Sequence, residues 1–223
     1  MTSCIDVSDL ASTLPNLRLF GAGGHGRVVA DAALLMRAWG TVVASDRDAA
    51  KCVGELLPGV PMMAMTDSGG ADGVKSKVHV AIGHNGHRLK EVLHWMNCWG
   101  ADCLATVVHP SATVSPFATV DAGCFVAAAA TLAPGSRVGL ACIINHGVVV
   151  DHDVQIDAFS HLAPNATLGG GVVVGQRVLI GAGAVVLPGV CIFDDVVIGA
   201  GAVVRTSITE PGIYVGVPAR RMK

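Results

Sequence analysis

Two histidines and three aspartates interrupt a run of Val, Ile, Ala and Gly at residues 150–171, VDHDVQIDAFSHLAPNATLGGG. His152 stands directly before Asp153, and His161 follows nine residues later. A carboxylate beside an imidazole holds the ring in one tautomer and makes it more basic, which suits the ring to accept a proton from a reacting group. The pair therefore indicates a general base. The alternative is that both histidines are solvated residues without a chemical role.

Around these residues the chain repeats every six positions. An aliphatic residue stands at each of seventeen positions from Val108 to Val204 in steps of six. No α-helix has that period and a flat strand has a period of two, so the chain must turn a corner after every short strand. This pattern is typical of a hexapeptide β-solenoid, in which three hexads close a triangular coil and the aliphatic residues stack inside. The aromatic content of only 4% fits so narrow an interior.

Residues eighteen apart take the same place in successive coils of such a solenoid, separated by the strand spacing of about 4.8 Å. His152 and Gly170 are related in this way, as are Ala182 and Ala200. His152 is third in its hexad, a position that points outward, so its ring does not fill the core. We expect His152 and Gly170 to be stacked neighbours on one accessible wall.

The first half contains a glycine-rich turn between an apolar strand and an amphipathic helix. In FGAGGHGRVV, Gly21, Gly23 and Gly26 form a G-x-G-x-x-G pattern. Such glycines let the backbone approach a phosphate, and the helix N-terminus supplies free N–H groups. The next strand ends at Asp46, where a carboxylate suits a ribose hydroxyl. These features predict a nucleotide site, and a tight turn without a ligand is the alternative.

A second strand-to-helix turn, AIGHNGHR, lies at Gly83 and carries Asn85 and Arg88. A dinucleotide fold needs about twice the sheet that residues 17–106 can form. A mononucleotide, or a sugar carried on one, is therefore a better fit than NAD.

Composition limits the class of protein. Only 14% of the 223 residues are charged and the net charge is -2, so no basic stripe is present to hold a nucleic acid. No run of about 18 apolar residues occurs and no signal peptide is recognisable, so we expect a cytoplasmic protein without a membrane span. Seven cysteines without a CxxC pair indicate reduced thiols. Cys124 and Cys142, both inward and eighteen apart, should stack in the core.

The segments GAGGHGRVVAD, AIGHNGHR, VVDHDVQIDAFSHLAPNATLGGG and GIYVGVPARRM together resemble the sialic acid O-acetyltransferase and nucleotide-sugar N-acetyltransferase family. The resemblance runs from Leu17 to Met222. It implies a small Rossmann-like α/β domain before a left-handed parallel β-helix, acetyl-CoA as donor without a metal, and an amino sugar linked to UDP or GDP as acceptor. It also implies a homotrimer with active sites between neighbouring subunits.

The expected domain boundaries follow from the same segments. An N-terminal extension covers residues 1–16, the Rossmann-like nucleotide-sugar-binding domain 17–106, the β-helix acyltransferase domain 107–209 and a C-terminal tail 210–223.

The resemblance also assigns roles to positions of this chain. Catalysis falls on His152 as general base and Asp153 as its acidic partner. The positions implied in acetyl-CoA binding are His161 on the coenzyme side, Gly170 with its N–H on the acetyl carbonyl, and Ala182 and Ala200 near pantetheine. The positions implied in nucleotide-sugar binding are Gly23, Gly24, His25 and Asp46. Family members often carry two consecutive acids after the second strand, but Ser45 precedes Asp46 here, which leaves the nucleotide open.

These roles combine into direct acetyl transfer, in which His152 takes a proton from the sugar amine and the Gly170 N–H stabilises the oxyanion. Three alternatives stay open. O-acetylation of a sialic acid or related sugar needs the same base. A zinc carbonic anhydrase needs three converging histidines, which spacings of six and nine residues do not supply. A trimeric scaffold would use the solenoid without any chemistry.

Overall fold

The N-terminal part of the chain is an α/β domain. The computed structural model describes residues 14–64 and 76–222, so residues 1–13 of the expected extension lie outside it. In chain order the elements are β1 (Asn16–Phe20), α1 (Gly24–Met36), β2 (Val42–Ser45), a 3-10 helix (Ala49–Lys51), β3 (Glu55–Leu57), β4 (Val60–Pro61), β5 (Ser76–Val80), α2 (Asn85–Trp99) and a second 3-10 helix (Ala101–Cys103). Strands β2, β1 and β5 form a parallel sheet in that order, and β3 pairs antiparallel with β4.

Two glycines make the turn from β1 to α1 possible. Gly21 has a φ of +116°, and a Cβ there would lie 2.8 Å from Ala81 O. A Cβ on Gly26 would overlap Gly21 O, so only glycine lets the helix pack directly on the turn. The β1–α1 and β5–α2 turns consequently lie side by side at the carboxyl edge of the sheet, where open parallel sheets bind ligands.

From Val107 onward the chain forms a parallel β-solenoid with three faces. Face A contains Val107–Val108, Phe125–Val126, Ile143–Ile144, His161–Leu162, Leu179–Ile180 and Val196–Ile198. Face B contains Thr113–Val114, Thr131–Leu132, Val149–Val150, Thr167–Leu168, Val185–Val186 and Val203–Val204. Face C contains Thr119–Val120, Arg137–Val138, Gln155–Ile156, Val173–Val174 and Cys191–Ile192. We call the corners AB, BC and CA after the faces that they join.

The six-residue repeat builds the core of the solenoid. From Val126 to Val204 each aliphatic residue at the hexad position is at most 3% exposed. Burial of such a side chain contributes roughly 1.5–3 kcal/mol, so this stack is the main source of stability in the solenoid. Cys124 and Cys142 are buried in the same core, as predicted, and their thiols donate to Gly139 O (3.0 Å) and Asp157 O (3.1 Å).

The α/β domain covers the first coils of face A. Phe125 and Ile143, whose side chains point outward from face A, are buried in a cluster shared with α1 and β1. A second shared cluster joins Trp95 of α2 to Phe159 at corner CA. The two parts of the chain therefore pack through continuous apolar interfaces.

The last residues extend face A. Gly212–Val215 pairs parallel with Val196–Ile198, and Arg220–Arg221 then pairs antiparallel with Gly212–Val215. Within the described ranges no helix combines the length and the apolar character needed to cross a membrane. The α/β domain followed by a parallel β-helix confirms the predicted fold class.

Candidate active site

His152 lies at corner BC, between Val149–Val150 and Gln155–Ile156. The corner turns because Asp153 adopts the left-handed conformation, with φ of 60°. Hexad residues before and after the corner point into the core, which forces the His152 side chain outward. The imidazole is 63% exposed, as its place in the hexad predicts.

Two carboxylates act on this imidazole. His152 Nδ1–H donates to Asp153 Oδ2 at 2.9 Å, and the His152 backbone N–H donates to Asp151 Oδ1 at 2.7 Å. The hydrogen bond to Asp153, followed by the charge of Asp151, raises the pKa of His152 above its usual value. Because a carboxylate can only accept, the proton of the neutral ring sits on Nδ1 and the Nε2 lone pair is free. The ring therefore has the tautomer that a general base requires.

Gly170 occupies the equivalent place one coil further on. A Cβ on Gly170 would lie 2.6 Å from His152 Cε1 and closer still to Nε2, so the predicted adjacency of the two residues is confirmed. Gly171 N–H donates to His152 O at 2.9 Å and holds the two corners in register. The Gly170 N–H has no acceptor within residues 14–64 and 76–222, which leaves a backbone donor beside the imidazole.

Ala182 and Ala200 lie at corner AB, and along the chain they follow Gly170 by two and by five hexads. They stack on each other, because Gly201 N–H donates to Ala182 O at 2.8 Å, and both are exposed. Within one chain they lie at the same corner as each other and at a different corner from His152. Their predicted contact with pantetheine stays a prediction.

His161 is partly buried between the two domains instead of lying at the corner of His152. Its Nδ1–H donates to Gly83 O at 3.2 Å, and Asn145 Nδ2–H donates to its Nε2 at 3.4 Å. Burial, followed by the charge of Arg88, lowers its pKa to about 4 despite the hydrogen bond to Gly83. The ring is neutral at neutral pH and borders a cavity of about 440 Å³ that also touches Arg177. Its role toward coenzyme A stays a prediction.

The four residues predicted to bind a nucleotide sugar come together around one cavity. Gly23, Gly24, His25 and Asp46 line a space of about 480 Å³ at the carboxyl edge of the sheet. A Cβ on Gly23 or Gly24 would meet no atom within 4 Å, so the fold itself leaves this space open. Helix α1 begins there without a side-chain cap and without an acidic residue in its first turn, which favours an anion such as a phosphate.

His25 and Asp46 differ in how they face this cavity. His25 Nε2 is buried without a hydrogen-bond partner among the described residues, and burial lowers the pKa of the ring to about 3, with further contributions from neighbouring His79 and His161. Partial burial acts to raise the pKa of Asp46, but hydrogen bonds outweigh it and the pKa is lowered. These come from the N–H groups of Ala22 and Asp48, both at 3.0 Å.

Four further polar or charged side chains line the same cavity without having been assigned from the sequence, namely Arg47, Lys51, His87 and Glu91. Arg47 donates to both oxygens of Glu91, at 2.7 and 2.8 Å. Arg47 and Lys51 follow Asp46 closely in the sequence, so their proximity to a predicted site residue could have identified them. Glu91 is 44 residues from Arg47, and only the fold brings the two together.

Ser45 stands where family members often carry an acid. It is fully buried, its Oγ is 3.5 Å from Leu19 O, and it does not line the cavity. Among the described residues no cluster of three or more His, Cys, Asp or Glu side chains is arranged to hold a metal ion.

Comparison with known families agrees with both parts of the fold. Residues 16–94 match the PglD N-terminal domain, and residues 171–206 match the bacterial transferase hexapeptide family of six repeats.

Several solved structures match almost the whole chain. The acetyltransferase domain of PglB from Neisseria gonorrhoeae FA1090 is 32% identical with a TM-score of 0.86, over 93% of this chain and 99% of that chain. The same domain in complex with acetyl coenzyme A is 30% identical with a TM-score of 0.84, over 94% and 100% of the two chains. PerB from Caulobacter crescentus, in complex with CoA and GDP-perosamine, is 35% identical with a TM-score of 0.84, over 93% and 97%.

The fold, the corner histidine and these matches define a hexapeptide-repeat acyltransferase. The chain belongs to the family of such enzymes that carry a PglD-type N-terminal domain. The resemblance inferred from its motifs is thereby confirmed.

Proposed function

We propose that this acyltransferase uses acetyl-CoA to N-acetylate an amino sugar linked to UDP or GDP. One observation carries the proposal: a basic imidazole, His152, lies against Gly170 at an open corner, and the Gly170 N–H has no acceptor among the described residues. The ligands of the matched structures support the substrate classes, because the PglB domain was solved with acetyl coenzyme A and PerB with CoA and GDP-perosamine.

The first step is proton removal at the acceptor. The sugar amine attacks the thioester carbonyl carbon, and the proton that the nitrogen must lose passes to His152 Nε2. The hydrogen bond from Nδ1–H to Asp153 keeps the lone pair on Nε2 and stabilises the imidazolium that forms. A positioned base of this kind contributes about 10² to 10⁴ in rate.

The second step is collapse of the tetrahedral intermediate. Negative charge develops on the former carbonyl oxygen, and the Gly170 N–H is placed to donate to it. The C–S bond then breaks, the amide remains on the sugar, and the proton on His152 neutralises the departing thiolate of coenzyme A. No acyl-enzyme is required, since the amine attacks the thioester directly.

A complete site requires a second copy of the chain. His152 and Gly170 lie at corner BC, whereas Ala182 and Ala200 lie at corner AB of the same solenoid. A groove that contains all four can form only where corner BC of one subunit meets corner AB of another. We therefore propose a homotrimer, the closed ring that a three-faced solenoid suits, with one site at each interface.

The acceptor occupies the cavity at the α1 N-terminus in this proposal. Its phosphates face the free N–H groups beside Gly23 and Gly24, and Asp46 and its neighbours contact the nucleoside. The six free thiols of the described residues fit a reducing compartment, and we place the reaction in glycan precursor synthesis in the cytoplasm.

An assay of coenzyme A release against a panel of nucleotide sugars tests this function. The panel contains UDP-, GDP- and dTDP-linked 3- and 4-amino sugars, each paired with the matching hydroxy sugar as control. We expect turnover only with an amine, and product mass increased by one acetyl group. Turnover of the hydroxy sugars would point to O-acetylation, and no turnover with any member would contradict the proposed acceptor class.

A further inference from the structure

Arg88 is a fully buried cation whose hydrogen-bond partners, among the residues that the structure describes, are all neutral oxygen atoms. The residue is 1% exposed. Its guanidinium donates to Ala141 O (2.8 Å), Ile82 O (3.0 Å), Gly83 O (3.1 Å), Asn85 Oδ1 (2.8 Å), Phe159 O (2.6 Å) and Ser160 O (3.4 Å). Because all three nitrogens of the planar guanidinium donate, the side chain is fixed in one orientation. A lysine, with a single ammonium, could not reproduce these bonds.

The acceptors belong to both domains. Ile82 and Gly83 form the β5–α2 turn, whereas Ala141 and Phe159 lie at corner CA of successive coils. The backbone ladder of the solenoid leaves both corner carbonyls without a donor within residues 76–222, so the arginine satisfies acceptors that would otherwise be unpaired.

Asn85 extends the same connection to a third coil. Its Oδ1 accepts from Arg88, and its Nδ2 donates to Arg177 O at 2.9 Å and Val178 O at 3.1 Å. The acceptor residues Ala141, Phe159 and Arg177 follow one another at intervals of eighteen residues. Arg88 and Asn85 together therefore form hydrogen bonds to three consecutive coils at one corner.

The turn held in this way separates the two cavities of the candidate site. Gly83 borders the cavity of His25 and also the cavity of His161, and its carbonyl accepts from His161. The rings of His25 and His161 have centroids 6.4 Å apart. A displacement of the turn would therefore move both histidines and the wall between the two cavities.

We propose that Arg88, assisted by Asn85, is a positioning residue that locks the Gly83 turn to the solenoid and so sets the acceptor cavity in register with the acetyl-transfer groove. This inference rests on the proposed function for its kinetic consequence, but its structural part can be measured without activity. Misplacement of a bound substrate by about 1 Å can cost about 100-fold in rate.

Substitution of Arg88 tests the proposal. Arg88→Met keeps the volume and removes the donors, Arg88→Lys keeps the charge, and Lys90→Met on the exposed side of the same helix is the control. We expect kcat/KM for the nucleotide sugar to fall about 10- to 100-fold in both Arg88 variants, mostly through a raised acceptor KM. The kinetics of Lys90→Met should stay close to those of the unsubstituted chain. Unchanged acceptor kinetics in a folded Arg88→Met protein would overturn the proposal.

Two further measurements separate positioning from a loss of folding. Arg88→Ala should recover at least part of its acceptor affinity in low millimolar guanidinium chloride but not in sodium chloride of equal ionic strength. Asn85→Ala removes the link to the third coil and one acceptor of Arg88 but keeps the bonds from Arg88 to the two corner carbonyls. It should therefore fold and shift the acceptor KM in the same direction by a smaller factor. Absence of both effects would contradict the proposal even if Arg88→Met cannot be purified.

The His161 ring supplies a readout that does not depend on catalysis. The His161 ring lies near the Arg88 guanidinium and the His25 ring, and its Nδ1–H donates to Gly83 O. His79 and His146 lie near the His25 ring. NMR of the ring nitrogens should show a neutral Nδ1–H tautomer at pH 6 in the parent chain and a rearranged, more easily protonated ring in Arg88→Met. If this change occurs in a chain without acetyltransferase activity, the proposed function fails and the positioning role stands. An unchanged ring in a folded Arg88→Met protein would exclude the role.

Discussion

The His152 imidazole fills the space where a side chain on Gly170 would have to go, with Cε1 only 2.6 Å from an ideal Cβ. Gly170 does not have a positive φ, so the backbone itself tolerates alanine. Gly170→Ala should therefore displace the base while the protein stays folded, and we expect kcat to fall about 100-fold. Steady-state kinetics together with a melting curve would check this.

The double variant His152→Ala/Gly170→Ala is the control for that prediction. If the alanine acts by moving the imidazole, the double variant should be no slower than His152→Ala alone. If the two substitutions instead lower kcat by factors that multiply in the double variant, Gly170→Ala has an effect independent of the imidazole, such as a displaced N–H.

Asp153 should set the pH dependence of the reaction. A general base must be neutral to act, so kcat/KM falls below the pKa of His152, which Asp153 and Asp151 raise above its usual value. Asp153→Asn removes the first of these effects, so the acidic limb of the pH–rate profile should move to lower pH. The plateau rate should also fall, because the tautomer is no longer fixed. If the acidic limb does not move, the group that titrates in the pH–rate profile is not His152.

Much of the solenoid was predictable because its period is strict. A repeat of six without insertions determines which residues point inward and which lie one coil apart, so the exposure of His152 and its contact with Gly170 followed from counting. The glycine pattern likewise predicted a ligand site at the β1–α1 turn, because the close approach of helix and strand at Gly21 and Gly26 leaves few other residue types possible.

Contacts between the two domains could not be predicted in the same way. His161 shares the outward strand position of Ile143 one coil earlier, and its ring is partly buried because the Gly83 turn docks on it. Neither the docking of the Gly83 turn nor the hydrogen bond from Arg88 to Phe159 O is marked in the sequence by a period or a local motif. Both depend on the surface that one folded unit presents to another.

The interior of the solenoid should be sensitive to cavities. Leu132 is 1% exposed and is stacked between Val114 and Val150 on face B. Leu132→Ala should lower the free energy of unfolding by about 2–5 kcal/mol. Thr131→Ala, at the outward neighbour, should cost much less. Chemical denaturation of both variants would measure the difference, and equal losses would contradict the stacked core.

Acid should weaken the interface between the domains. His79 is buried, His25 and His161 are partly buried, and the pKa values of His25, His79 and His161 are lowered to about 3, 4 and 4 from 6.5, mainly by burial. The unfolded chain takes up protons below pH 6.5 while the folded chain does not, so stability is complete above that pH and is lost as the pH falls toward 4. Each histidine contributes on the order of 3 kcal/mol to this loss.

Melting temperatures between pH 8 and pH 5 would measure that slope. His79→Gln, which lies outside the cavities and is 1% exposed, should flatten it, whereas His87→Gln at an exposed position should not. A slope that His79→Gln leaves unchanged would mean that other groups control acid unfolding.

Gly24 should show opposite effects on stability and on acceptor binding. It is the first residue of α1, it is exposed, and a Cβ there meets no protein atom within 4 Å. Alanine is favoured over glycine in a helix by up to about 1 kcal/mol, so Gly24→Ala should leave the melting temperature unchanged or raise it. The added methyl group enters the cavity at the α1 N-terminus, so the KM for the nucleotide sugar should rise about tenfold or more while the KM for acetyl-CoA stays constant. An unchanged acceptor KM in this folded variant would place the nucleotide sugar somewhere other than this cavity.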